Sequence, residues 1–211
     1  MSDFLSSESI SLKICGVRTA SDAAELVSLG VEALGVNFWP QSKRYCAPED
    51  ADFLKSVRGE ICRVGVFVNA EKDLPERLLS EGLLDFVQFH GDEDTEYCTY
   101  FAEKKLPYLR AVGVKDDASI SGLDLPGCSG ILLDAHAPGV YGGTGNTCDW
   151  TIIEKVNSLY PELPIILAGG ITVDNVAAAR ELKHIVALDV ASGAESSPGV
   201  KDFTKVRALM A

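Results

Sequence analysis

Hydrophobic and polar positions alternate along this chain with two different periods. Short β-branched apolar runs, the mark of strands, occur at Ser11–Cys15, Ala33–Phe38, Cys62–Val68, Phe86–His90, Tyr108–Val114, Gly130–Ala135, Pro164–Ala168 and Ile185–Ala191. Between them lie stretches of helical spacing at Ala20–Leu29, Ala47–Val57, Leu74–Glu81, Thr95–Lys104, Asp149–Tyr160 and Val173–Leu182, with Asp202–Met210 closing the chain. The exception is Asp116–Leu125, where Gly122 and the following Pro126 predict a short or irregular connection. Strands joined by connections long enough for helices predict parallel pairing, because parallel neighbours need crossovers. Eight such units predict a single (β/α)8 barrel over residues 1–211, with residues 1–10 as a flexible N-terminal extension. A doubly wound open sheet is the alternative. It usually carries a G-x-G-x-x-G turn after its first strand, and ICGVRTA is not that turn.

Composition narrows the function more than the fold. Of 211 residues 46% are hydrophobic, an ordinary globular balance, and the net charge is −12. Nucleic acid and anionic membrane need a basic footprint, so neither is an expected partner. A small anion is still compatible, since a few local cations and N–H groups can hold one. The six cysteines are spread without a C-x-x-C pair, and the first residues read as neither signal nor anchor. A reduced, cytoplasmic setting is expected.

In a barrel the active site lies at the C-terminal ends of the strands. Polar and glycine residues collect there: Cys15, Asn37, His90, Asp134, the pair Gly169–Gly170, and the pair Ser192–Gly193. Each alone reads as a turn residue; most of the eight ends together read as a site. The loops ILAGGIT and LDVASGAESSPGVKD follow the last two strands, where barrels build their phosphate site, with Ala194–Ser197 as the expected short extra turn. A third loop, Tyr141–Thr147, is also glycine-rich. Together they point to a phosphorylated ligand. No Walker-type loop is present, so nucleotide hydrolysis finds no support.

Two groups suit proton transfer. Alternation puts Lys13 and Cys15 on one face of the first strand, where an ammonium would favour the thiolate, a base. Lys13 has a second candidate partner in Asp189, on the strand adjacent in a closed barrel. Asp134 ends an apolar strand, a setting that suits a carboxyl acting as general acid. A base and an acid across one mouth fit proton shuffling on a phosphosugar, with no metal or hydride cofactor.

KICG at Lys13–Gly16, ALGVNFWPQSKRY at Ala33–Tyr45, VGVFVN at Val64–Asn69 and VQFHGDE at Val87–Glu93 occur in that order. LLDA, GGTGNTCDW, LAGGIT and DVASGAESSPGVKD follow. This ordered set, from about residue 11 to the C-terminus, closely resembles the phosphoribosylanthranilate isomerase family of tryptophan biosynthesis. The resemblance implies a cofactor-free Amadori rearrangement of N-(5-phosphoribosyl)anthranilate to 1-(2-carboxyphenylamino)-1-deoxyribulose 5-phosphate. It further implies Asp134 as general acid on the furanose oxygen and Cys15 as general base on the C2′ proton. By the same resemblance Arg44 binds the anthranilate carboxylate and Asp189 the ribose hydroxyls, while Gly143, Gly170, Ser192 and Gly193 surround the phosphate. His90 and Gln88 line the pocket without an assigned role. A monomer or homodimer is expected.

Two departures stand out. The family usually has Ser-Pro-Arg-Tyr where this chain has Ser42-Lys43-Arg44-Tyr45, and losing the proline is expected to free the loop that presents Arg44. It commonly has Phe-Ile-Phe where this chain has Val36-Asn37-Phe38, and Asn37 is expected to reorient that loop. The rival readings are another phosphosugar barrel and a catalytically silent barrel that binds a phosphorylated metabolite. Among the first, which share the phosphate site and include indole-glycerol-phosphate synthase, the histidine-pathway isomerase places an aspartate where this chain has Cys15 and a metal-dependent epimerase needs a His/Asp cluster; the second has no use for Cys15, Asp134 and Arg44 together.

Overall fold

The computed structural model describes residues 4–6, 9–114, 120–135 and 152–211. Eight parallel strands close into a barrel in chain order: β1 (Ser11–Cys15), β2 (Ala33–Asn37), β3 (Cys62–Phe67), β4 (Phe86–Phe89), β5 (Tyr108–Val114), β6 (Gly130–Ala135), β7 (Ile165–Leu167) and β8 (Ile185–Val190). Closure comes from β8 pairing with β1, in a register that sets Asp189 beside Lys13. The helices are α1 (Ala20–Leu29), α2 (Asp73–Ser80), α3 (Thr95–Glu103), α4 (Ile152–Leu159), α5 (Val176–Arg180) and α6 (Phe203–Met210). Local sequence explains their ends. Thr19 caps α1 by accepting from Asp22 N–H, and Gly30 ends it in the left-handed conformation. Asp94 and Asp202 cap α3 and α6 in the same way.

After β2 the crossover is a 3-10 helix over Pro48–Lys55, where an α-helix was expected. Its buried positions Ala51 and Leu54, with Val57 beyond it, recur every third residue, the period of that tighter helix. The short extra turn also differs from expectation. It is a 3-10 turn at Ser192–Ala194, two residues early, and a small antiparallel pair, β9 (Glu195–Ser197) and β10 (Val200–Lys201), follows it. Among the described residues, 120–125 form no helix, and no helix is long and apolar enough to cross a membrane.

Two cores result from strand alternation. Outward residues such as Leu12, Ile14 and Leu34 join the helix faces in one cluster, and inward residues such as Ala33, Cys62, Leu109 and Ala187 form a second. Phe4 belongs to the second cluster and is fully buried. Burying a phenylalanine contributes about 1.5–3 kcal/mol. Phe4 itself is thus held in the barrel floor; residues 1–3, 7 and 8 of the expected N-terminal extension lie outside the described residues. Above this apolar floor the barrel interior turns polar, with Lys13, Gln88 and Asp189 all buried.

Candidate active site

At the C-terminal mouth lies one cleft, lined by Cys15, Arg44, His90, Asp134, Gly170 and Asp189 among others. A cleft at this end of the barrel is where the fold places its small-molecule sites. Cys15 and Asp134 reach it from β1 and β6, strands that are not neighbours. Ser192 lines it as well. Gly193, beside Ser192 in the 3-10 turn, is held to glycine by close approach: a Cβ there would lie 2.0 Å from the Ile171 carbonyl oxygen. Gly143 lies outside the described residues.

On the β1 side Arg44 lines the cleft, and Lys13 and Lys201 lie buried behind it. Lys13 Nζ donates to Asp189 Oδ1 at 2.9 Å and to Gln88 Oε1 at 3.1 Å. Burial works against its charge, but Asp189 and Cys15 outweigh that and hold the ammonium above its usual pKa. Cys15 and Lys13 meet over Gly35, where a Cβ would stand 2.8 Å from Cys15 Sγ and 3.1 Å from Lys13 Nζ. A glycine within a strand signals such an approach, so Gly35 was legible in the sequence, although strand-end reasoning passed over it. Lys13 favours the Cys15 thiolate, as expected, and burial opposes it. Burial pushes the thiol up; Lys13 pulls it down, Asp189 pushes it up again, and Lys201 and Arg44 pull down without cancelling the rise.

Arg44 does not reach the cleft as a loose side chain. Its Nε and NH2 hold both carboxylate oxygens of Glu195 at 2.7–3.1 Å. Glu195 also accepts from Lys201 Nζ at 2.8 Å and from Gly199 N–H at 3.1 Å. Lys201 in turn donates to the Cys15 carbonyl. Burial disfavours the Glu195 carboxylate, yet Arg44 and Lys201 together hold it below its usual pKa. Burial lowers the Lys201 pKa even beside Glu195, whereas Arg44 keeps its charge firmly and, lining the cleft, favours an anionic ligand.

The loop before Arg44 is pinned, contrary to the freedom expected from the missing proline. Asn37 Oδ1 accepts from Trp39 N–H, the Asn37 carbonyl accepts from Cys46 N–H, and Ser42 Oγ accepts from Arg44 N–H. Asn37 thus ties the loop down. Glu195 and Lys201 were missed by sequence reasoning, and the only signal was an acid and a lysine flanking the SSPGV turn.

On the far side Asp134 is buried, and its Oδ2 lies 3.2 Å from His90 Nε2. Its surroundings are thus not apolar alone, as the sequence suggested. His90 Nδ1 lies 2.9 Å from Gln88 Nε2. Both residues line the cleft, as expected. Among the described residues no group of three or more His, Cys, Asp or Glu is placed to hold a metal ion.

A closed (β/α)8 barrel whose mouth sets an acid and a thiol around an anion-favouring cleft belongs to the class of barrel enzymes that move protons on small phosphorylated substrates. The family model described as N-(5'phosphoribosyl)anthranilate (PRA) isomerase matches residues 12–211. The N-(5'-phosphoribosyl)anthranilate isomerase of Nitrosomonas eutropha is 42% identical over 209 residues, covering 95% of each chain. Among solved structures, the phosphoribosyl anthranilate isomerase of Thermus thermophilus superposes with a TM-score of 0.82 at 33% identity, covering 95% of this chain and 96% of that one. Another, in complex with reduced 1-(o-carboxyphenylamino)-1-deoxyribulose 5-phosphate, gives 0.80 at 32%, with the same coverage. The chain belongs to the N-(5'-phosphoribosyl)anthranilate isomerase family, isomerases of tryptophan biosynthesis that convert an aldose to a ketose.

Proposed function

We propose that the mouth carries out the family's rearrangement with Asp134 as general acid and Cys15 as general base. Asp134 gives a proton to the furanose ring oxygen as the C1′–O bond breaks, and the anilino nitrogen lone pair closes the iminium. Cys15, as the thiolate stabilised by Lys13, takes the C2′ proton to leave the enolamine, which tautomerises to the ketone. Arg44, oriented by Glu195, receives the anthranilate carboxylate, for which a guanidinium is the best-matched partner. Asp189 takes the ribose hydroxyls. Gly143, Gly170, Ser192 and Gly193 take the phosphate, at the barrel loops where that group usually binds.

The observation that carries this reading is one cleft lined by both Cys15 and Asp134, with the cations gathered on the thiol side. Residues 1–211 act as one barrel domain in this reading. The setting is cytoplasmic, which suits five buried cysteines held outside any disulfide among the described residues. The working form is a monomer or homodimer.

The test supplies purified protein with freshly generated phosphoribosylanthranilate and follows the loss of its anthranilate-like fluorescence. Wild type should consume the substrate rapidly. Cys15→Ala should show only the spontaneous rate with its fold intact by circular dichroism. Near-normal turnover by that variant would remove Cys15 from the mechanism.

A further inference from the structure

A chain of hydrogen bonds crosses the upper barrel from β8 to β6. Asp189 Oδ1 accepts from Lys13 Nζ at 2.9 Å, and the same Nζ donates to Gln88 Oε1 at 3.1 Å. Gln88 Nε2 lies 2.9 Å from His90 Nδ1, and His90 Nε2 lies 3.2 Å from Asp134 Oδ2. Taken singly, the links at the amide and the imidazole have no fixed direction, because either group can be turned over. Lys13 removes that freedom. Its ammonium has three donors and no acceptor, and it is fully buried against Asp189. Only an acceptor can face it, so Gln88 turns Oε1 toward Lys13 and its NH2 toward His90. Nδ1 must then accept, which leaves it bare. The single proton of the neutral ring sits on Nε2 and points at Asp134.

We infer that His90 is a positioning residue for Asp134: Lys13, acting through Gln88, fixes the Nε2–H tautomer, and that N–H occupies Oδ2, so the proton delivered to the substrate is carried on Oδ1. The inference rests on Asp134 being the general acid. In the ring-opening step the Oδ1–H bond breaks and the proton passes to the ring oxygen, which keeps the electron pair of the broken C1′–O bond. The carboxylate that remains on Asp134 is met by an N–H already in place, so its new charge is stabilised without rearrangement. His90 itself neither gives nor takes a proton.

The test is a long-range proton–nitrogen NMR spectrum of the full chain with 15N-labelled histidine. Only three histidines are present, and the signals missing from His90→Gln identify the ring. In wild type Nδ1 should be pyridine-like and Nε2 pyrrole-like; a protonated Nδ1 would overturn the inference, and this readout needs no functional variant. Gln88→Glu sharpens it by offering one carboxylate to both Lys13 and Nδ1. The variant should place a proton on Nδ1 and lower kcat by about 10²-fold, the usual worth of one preorganised hydrogen-bond donor, with KM nearly unchanged. An Nδ1 that stays bare in Gln88→Glu would overturn the control by Lys13. A protonated Nδ1 with wild-type kcat would overturn the positioning role. If Asp134→Asn itself turned over at full rate, the acid assignment would fall and the positioning role with it, while the tautomer fixed by Lys13 would stand as a separate result.

Discussion

Arg63 and Lys13 are both buried cations on barrel strands, each paired with an aspartate at 2.9 Å. They lie on opposite faces of the sheet. Arg63 points outward and spends its fork on Asp85 and on the carbonyls of Leu54 and Gly82. Those partners belong to the 3-10 helix, to the turn after α2 and to the residue before β4, so this cation ties crossovers to the barrel. Lys13 points inward, and its partners are Asp189, Gln88 and, across Gly35, the Cys15 thiol. Its contacts end in side chains that line the cleft. The same pairing ties crossovers together in one place and, in the proposed mechanism, supports the base in the other, and the difference lies in what the cation is shared with.

That contrast can be broken by substitution. Lys13→Met should have the largest effect on catalysis. The thiol already sits above its ordinary range, and only its ionised form is a base, so kcat/KM should rise with pH as Cys15 ionises. Removing the ammonium moves that rise to still higher pH. An opposite charge at this range commonly shifts a pKa by ~1–3 units, so kcat/KM near neutrality should fall by about 10- to 10³-fold. A pH profile that does not move would make Lys13 merely structural, like Arg63.

Arg44→Ala should come next, acting on binding. Losing a charge-assisted contact to the anthranilate carboxylate costs about 1.5–3 kcal/mol, or roughly ten- to a hundredfold in KM. An unchanged KM would put that carboxylate elsewhere. Arg63→Met should have the smallest kinetic effect. It should lower stability to urea by about 1–3 kcal/mol by stranding buried carbonyls, while kcat and KM of the folded enzyme stay at wild-type values.

Much of this was legible in the sequence, and the failures have physical reasons. The strands β1, β5 and β6 fall on their expected residues because β-branched runs between turn residues admit few other readings. The crossover at Pro48–Lys55 misled because three apolar residues at a spacing of three fit one face of either helix. Cys15 and Asp134 were visible as polar ends of apolar strands, a position the barrel reserves for chemistry. Glu195 was not visible, since a carboxylate in a Gly- and Ser-rich loop reads as surface. Its burial is made by Arg44, 151 residues away, and by Lys201. Phe4 was hidden in the same way, as one aromatic in a polar leader whose partners come from several strands.

The central claim is the division of labour between Asp134 and Cys15, and a kinetic isotope effect tests it most directly. Single-turnover rates would be compared for substrate carrying hydrogen or deuterium at C2′. Wild type should show a primary effect, because Cys15 removes that atom. Asp134→Asn should be slower by at least ~10²-fold and should lose the effect, because ring opening has become the slow step. A slowed Asp134→Asn that keeps a full isotope effect would place Asp134 on the C2′ proton step and contradict the account.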